Sequence, residues 1–183
     1  MRNKNDKNWQ KYPVQELRGS TLGVVGYGDI GKAAARLANA YGMHVQAMRR
    51  RKPAAGDDKD PIAQVVYGNS KEELRKLFSS CDYILCSMPL TSETEGMIGK
   101  AEFDAAKAGA VFINVGRGPI VDEKAMIEAL QDGRLKGVGL DVFAVEPLPK
   151  ESPLWSLDSV LLSPHSKYSR ELCGSAQPCE LER

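Results

Sequence analysis

Apolar and polar positions along this chain follow two rhythms that take turns. The runs Leu22–Val25, Asp82–Cys86 and Ala110–Asn114 and the alternating stretch His44–Met48 read as strands, joined by shorter ones at Val65–Tyr67, Val138–Leu140 and Val160–Leu162. Between the first two, Ile30, Ala34, Leu37, Ala38 and Tyr41 recur at helical spacing, which predicts a helix from about Asp29 to Tyr41 with Gly42 as its stop. Ser70, with Glu73 three residues on, reads as a capping box for a helix Lys71–Ser79. A short helical segment is expected around Lys100–Ala106. Asp122 caps a further helix through about Asp132, with Met126, Ala129 and Leu130 on its inner side and Gly133 after it. Strands that alternate with helices imply right-handed crossovers and a parallel sheet covered on both faces. The predicted class is therefore α/β, a doubly wound parallel sheet.

The first strand runs into Gly26-Tyr27-Gly28-Asp29-Ile30-Gly31. In a strand–turn–helix of this form, the first glycine turns the chain and the second lets a pyrophosphate approach the backbone. The third lets the helix pack close to the strand. Free N–H groups at the helix start then favour negative charge. A GxGxxG alone is weak evidence, and the same residues also suit a turn that binds nothing. With an apolar strand before it and a helical period after it, the turn makes the expected sheet Rossmann-type. In such sheets ligands bind beyond the carboxyl ends of the strands. The polar residues that follow predicted strand ends are Gly28 and Asp29, Arg49 and Arg50, Ser87, Arg117, Asp141, Glu146 and His165, and all should reach one rim.

Composition narrows the class. With 183 residues there is enough chain for one good core and too little for two typical domains. A formal net charge of +1 offers no basic patch for nucleic acid and no acidic tail. No apolar run approaches the ~20 residues that a membrane helix needs. The first residues lack the apolar core of a secretory signal. Cys81, Cys86, Cys173 and Cys179 show no metal-type pairing, no metal site is expected, and Cys86 reads as a small core residue. A reducing cytoplasmic setting is the expectation, or an organellar one if a transit peptide precedes Met1. Residues 1–15 read as a polar lead-in anchored only by Trp9 and Tyr12, residues 16–168 as a single nucleotide-binding domain, and 169–183 as an unassigned tail. Ala54–Pro61 is a polar loop.

Arg49 stands where an NAD-binding fold usually carries an acid, roughly twenty residues past the glycines. It cannot accept ribose hydroxyl protons, but its planar fork suits a 2′-phosphate. Arg50 and Arg51 thicken the charge, so NADP rather than NAD is favoured; a solvated basic loop is the plainer alternative. His165 follows a proline at a strand end and can exchange a proton near neutral pH. Glu146 could partner it, since a nearby carboxylate favours the protonated ring. Arg117 lies in a glycine-flanked loop and can hold a carboxylate bidentately. Each has a plainer role open: His165 capping a loop, Glu146 as a surface acid, Arg117 pairing with Asp141. Asp141 can accept a bond from a nicotinamide carboxamide or cap an Asx-type turn. His44, the other histidine, reads as a filler.

Several segments fall in one order along the chain. They are Leu17–Gly23 with the glycine turn, Met88–Thr91 through Thr94, Ile113–Gly118, Val121-Asp122, Gly139–Phe143 through Glu146–Pro149, and Ser163–His165. Together they resemble the nucleotide-binding domain of the D-isomer-specific 2-hydroxyacid dehydrogenases, a group that includes phosphoglycerate, glycerate/hydroxypyruvate and D-lactate dehydrogenases. The resemblance covers about Glu16 to Tyr168 and implies that Arg117, Glu146 and His165 are the catalytic residues. It implies that Gly26, Gly28, Asp29, Ile30 and Gly31 take the pyrophosphate. Met88, Pro89 and Thr94 would border the adenosine, and Val115, Gly116 and Asp141 would hold the nicotinamide end. The implied reaction is reversible reduction of a small 2-oxoacid with NADP(H) or NAD(H), in a homodimer, with neither nucleic acid nor membrane as partner. Arg49 departs from the acid of NAD-using members, and most of the family's substrate domain is not visible in this sequence. A non-catalytic NAD(P)-sensing module of the same superfamily is the alternative.

Overall fold

The computed structural model describes residues 14–51 and 60–165. Seven strands form one parallel sheet: β1 (Thr21–Val25), β2 (His44–Arg49), β3 (Ala63–Tyr67), β4 (Tyr83–Cys86), β5 (Ala110–Asn114), β6 (Leu135–Leu140) and β7 (Val160–Leu162). Four helices link them: α1 (Asp29–Ala40), α2 (Lys71–Ser80), α3 (Lys100–Ala105) and α4 (Glu123–Gln131). The strand order is β3-β2-β1-β4-β5-β6-β7, with every pairing parallel. The order reverses between β1 and β4, and there the loops after the two strands part to leave a crevice. This is the Rossmann-type doubly wound sheet that the alternating pattern predicts.

Each face of the sheet carries its own core, because successive side chains on a strand point to opposite sides. On one side Val24 packs with Ala35, Ala38, Val45 and Leu85 under α1. On the other, Val25, Leu77, Ile84, Cys86 and Met126 pack under α2, α3 and α4. At its centre Phe103 meets Phe112 edge-on, with ring centroids 5.4 Å apart, and Phe78 stands 6.0 and 6.2 Å from the two. Such edge contacts align the positive rim of one ring with the negative face of another. Cys86 is fully buried as expected, and Cys81 is buried too; burial pushes both thiols up to about 11.

Three local expectations need correction. The buried face of α1 is Gly31, Ala35 and Ala38, whereas Ile30, Leu37 and Tyr41 are exposed. The reason is proximity: a Cβ on Gly31 would lie 2.5 Å from the Gly26 carbonyl oxygen, so the helix approaches the sheet through its smallest residues. Second, Ser70 does cap α2, but its Oγ accepts from the Glu72 N–H at 3.2 Å, and the Glu73 carboxylate pairs with Lys76 at 2.8 Å rather than closing a box. Third, β6 begins at Leu135, three residues before Val138, and a register shift at Ala110/Val111 lets it pair with β5.

Asp122 caps α4 as predicted, accepting from the Ala125 N–H at 3.1 Å. Among the described residues, no helix is long and apolar enough to cross a membrane. Trp9, Tyr12, Lys52 to Lys59, the end of the domain at Tyr168 and the tail with Cys173 and Cys179 lie outside the described residues.

Candidate functional site

The segments that follow the strands bring Gly28, Arg49, Arg50 and Ser87 to one hollow at the carboxyl edge of the sheet, and Glu146 and His165 to a second. The first is a groove of about 310 Å³ at the reversal between β1 and β4, whose walls include Gly26, Gly28, Arg49, Arg50, Met88 and Thr94. Gly26 makes the turn with a φ of +100°, a conformation a side chain disfavours. Its N–H and that of Tyr27 both donate to the Met48 carbonyl at 3.1 Å, tying the turn to the end of β2. Gly28 stands at the start of α1, and no side chain caps that helix. A Cβ built on Gly28 would meet nothing within 4 Å, so space lies open directly over the backbone there. An uncapped helix start beside open space is the arrangement that admits an anion. The dinucleotide expected from the sequence therefore fits.

The other side of the groove is pinned just as firmly. Ser87 Oγ donates to the Gly26 carbonyl at 2.8 Å, so the loop after β4 is latched to the glycine turn. Thr94 Oγ1 donates to the Pro89 carbonyl and accepts from the Thr91 N–H, each at 2.8 Å, which folds Pro89–Thr94 into a tight knot. Arg49 ends β2, its carbonyl accepting from the Gly68 N–H at 2.9 Å. Arg50 reaches across the groove, Nη1 standing 2.7 Å from Glu93 Oε2.

The second hollow, about 640 Å³, is lined by Phe143, Glu146, Leu148, Trp155, Leu162 and His165, among others. His165 Nδ1 and Glu146 Oε2 are 2.8 Å apart, and the other Glu146 oxygen accepts from the Phe143 N–H at 3.0 Å. The bond to His165 and then the Phe143 N–H hold the Glu146 carboxyl below the usual carboxylate range, and the nearby Arg117 charge acts in the same direction. The carboxylate is thus fixed at both oxygens and fixes the ring in turn. His165 is held at φ 47°, in the left-handed region, its N–H donating to the Ser163 carbonyl at 3.0 Å.

Arg117 lies on the loop after β5 and lines neither hollow. The buried Asn114 accepts from the Gly116 N–H at 3.0 Å and donates to the Arg117 carbonyl at 3.2 Å, so its amide shapes the whole Gly116–Arg117 turn. Gly118 then packs so tightly that a Cβ there would lie 1.8 Å from the Phe143 carbonyl oxygen. That contact sets the arginine loop against the segment carrying Glu146. Arg117 Nη1 donates to the Gly116 carbonyl at 2.7 Å, and the residue is exposed on the rim.

Not every expected residue lines a hollow. Gly31 is buried beneath the turn, and Ile30 points to solvent on the helix beyond it. Asp29 is exposed in the first turn of α1. Gly116 is wedged under the loop after β4, where a Cβ would come within 2.7 Å of the Met88 carbonyl. The Val115 N–H donates to the Cys86 carbonyl at 3.0 Å, and the Asp141 N–H to the Asn114 carbonyl at 3.0 Å.

Sequence reasoning missed Asn114 and Gly118 as positioning residues, although both stand in the quoted Ile113–Gly118 segment. It also missed Tyr27, whose buried hydroxyl donates to Asp60 Oδ2 at 3.0 Å. Burial, then the bond to Asp60, pushes that phenol up to about 12. Burial alone would raise Asp60, but the Ile62 and Ala63 N–H donors and the Tyr27 hydroxyl outweigh it and keep the carboxyl below its ordinary range. The pair ties the glycine turn to the start of β3.

Fold and rim together define a Rossmann-type dinucleotide-binding domain with a polar cluster beside its groove. Comparison with known proteins places it further. The family model described as D-isomer specific 2-hydroxyacid dehydrogenase, NAD binding domain, matches residues 1–166, and the chain belongs to that family. It is 44% identical over 151 residues to glyoxylate/hydroxypyruvate reductase B of Enterobacter sp. (strain 638), covering 82% of this chain and 44% of that protein. It is 39% identical over 154 residues to the glyoxylate reductase of Korarchaeum cryptofilum, covering 82% of this chain and 43% of that one. The chain thus spans less than half the length of these curated relatives.

Among solved structures, a D-isomer specific 2-hydroxyacid dehydrogenase from Xanthobacter autotrophicus Py2, in complex with NADPH and MES, superposes with a TM-score of 0.79 at 36% identity. The match covers 90% of this chain and 65% of that one. The NADPH-dependent glyoxylate/hydroxypyruvate reductase of Sinorhizobium meliloti, in complex with NADP and sulfate, matches at 0.79 and 30% identity, over 90% and 51% of the two chains.

Proposed function

We propose that this chain is the cofactor-binding half of an NADP(H)-preferring dehydrogenase that reversibly reduces a small 2-oxoacid to a D-2-hydroxyacid. The observation that carries the reading is the Glu146–His165 bond at 2.8 Å, set beside Arg117 on the rim that also holds the open glycine turn. The named relatives reduce glyoxylate or hydroxypyruvate, and two solved neighbours hold NADPH or NADP, which supports both the reaction class and the cofactor.

Gly26, Gly28 and the first turn of α1, with Asp29, Ile30 and Gly31, would hold the pyrophosphate. Met88, Pro89 and Thr94 would wall the adenosine, Arg49 and Arg50 would meet a 2′-phosphate, and Val115, Gly116 and Asp141 would border the nicotinamide. Bound there, the nicotinamide supplies or accepts the hydride. His165 gives the carbonyl oxygen its proton, and in the reverse direction takes it back. Glu146, bonded to Nδ1, keeps the ring oriented. Arg117 holds the substrate carboxylate and draws electron density from the adjacent carbonyl.

Two substitutions test the cofactor part. Arg49→Asp removes a charge-assisted bond to the phosphate and sets a like charge against it, so NADPH affinity falls about tenfold to a hundredfold. NADH affinity changes less than about twofold, since no phosphate is present to lose the contact. Titration by cofactor fluorescence reads both, and equal losses remove Arg49 from the phosphate site. Gly28→Ala leaves folding stability within about 0.5 kcal/mol, because its methyl enters open space. That methyl occupies the approach of the pyrophosphate, so both cofactors bind about tenfold more weakly or worse. Unchanged calorimetric affinity for both would show that the phosphates lie elsewhere.

A further inference from the structure

The groove between β2 and the loop after β4 is bridged by an ion pair between two of its lining residues. Arg50 Nη1 stands 2.7 Å from Glu93 Oε2, with the two side chains 49% and 53% exposed. Arg49, Arg50, Arg51 and Glu93 all line this groove, and Glu93 is the one acid among the described residues that do so. Nor does Glu93 sit on loose chain. The Thr94 and Glu95 N–H groups both donate to the Thr91 carbonyl at 3.0 Å, and the Thr94 hydroxyl closes the knot on Pro89. A braced turn therefore presents a carboxylate to the arginine that follows β2.

We propose that Glu93 is a specificity-determining residue that competes with the 2′-phosphate of NADP(H) for Arg50, an inference that rests on the dinucleotide reading above. A guanidinium offers one planar fork, and carboxylate and phosphate both fit it. A 2′-phosphate draws Arg50 off Glu93 and leaves that carboxylate uncompensated in the same groove. A 2′-hydroxyl makes no such demand, and the Arg50–Glu93 pair stays closed over the adenosine end. Glu93 thus subtracts from NADP(H) affinity while leaving NAD(H) untouched, and moderates the preference that Arg49 and Arg50 create.

The test uses the chain as it stands, titrated with NADPH and with NADH by fluorescence and calorimetry. Glu93→Gln keeps the side-chain shape and removes the charge. NADPH affinity rises about fivefold, the upper worth of an exposed ion pair, and NADH affinity moves less than about twofold. The gain shrinks at high salt, where exposed charges are screened. In an Arg50→Gln background the same substitution gains less than about twofold, because there is no longer an arginine to release. Equal gains for both cofactors, no gain for NADPH, or a gain that persists without Arg50 each overturn the proposal. If Arg49→Asp weakens NADPH selectively while Glu93→Gln changes nothing, the competition alone is refuted and the cofactor site stands. If the unaltered chain binds neither dinucleotide, both fall.

Discussion

His165→Ala lowers 2-oxoacid turnover by about a thousandfold, the scale of a lost general acid, and leaves NADPH affinity within about twofold. The imidazole lines the second hollow and not the groove at the β1–β4 reversal, so its removal does not touch the glycine turn. Nor does it release the loop, because Glu146 still accepts from the Phe143 N–H at 3.0 Å. The measurement is the loss of NADPH absorbance with hydroxypyruvate, in a form of the protein that carries the substrate-binding half. A large fall in cofactor affinity, or retained turnover, would make His165 a structural residue.

The pH dependence follows from Glu146. Its carboxyl is held below the ordinary value, so it is ionised at neutral pH and stays so into acid. The contribution of the pair is fully present above the unfolded carboxyl pKa, about 4, and is lost as pH falls through the lower folded value. A fall in kcat at higher pH would come from another group.

Gly118→Ala is expected to cost about 3 kcal/mol of folding stability or more. Its Cβ would lie 1.8 and 2.0 Å from the Phe143 carbonyl oxygen and carbon, and 2.6 Å from the Ala144 nitrogen. Those are backbone atoms of a segment whose Val142 and Phe143 side chains are buried, so no rotamer change relieves the overlap. The two loops must separate, and Arg117 then moves away from Glu146. For a domain of this size the melting temperature falls by roughly 6–12 °C. Denaturant unfolding measures the loss directly, and a variant as stable as the parent would show that the contact is slack.

The fold was readable because its determinants are local. Apolar runs of four or five residues, glycines after helices and the Asp122 cap each announce an element within a few positions. The face of α1 was not readable in this way. Ile30, Leu37 and Tyr41 have the right spacing for a core stripe, but the close approach at Gly31 admits only small side chains beneath the helix. Lys136 and Gly137 likewise interrupt the hydrophobic signal at the start of β6, which backbone pairing to β5 nonetheless extends.

The site was legible to the extent that strand ends share a rim. That rule brought Gly28, Arg49, Arg117, Glu146 and His165 to one edge from positions far apart in the chain. It could not foretell contacts between loops. Arg50 and Glu93 are 43 residues apart, and their pairing depends on how two connections lean toward each other. The Gly118–Phe143 contact is invisible for the same reason, since a glycine in a loop looks alike whether space around it is open or filled.

The backbone of His165, at φ 47°, has a further consequence. A residue with a Cβ in that region costs on the order of 1 kcal/mol or more relative to glycine, which adopts it freely. Variants chosen only for surviving heat would therefore drift toward glycine at this position and discard the imidazole to which we assign the proton transfer. Durability and the proposed chemistry thus pull the last turn of the rim in opposite directions.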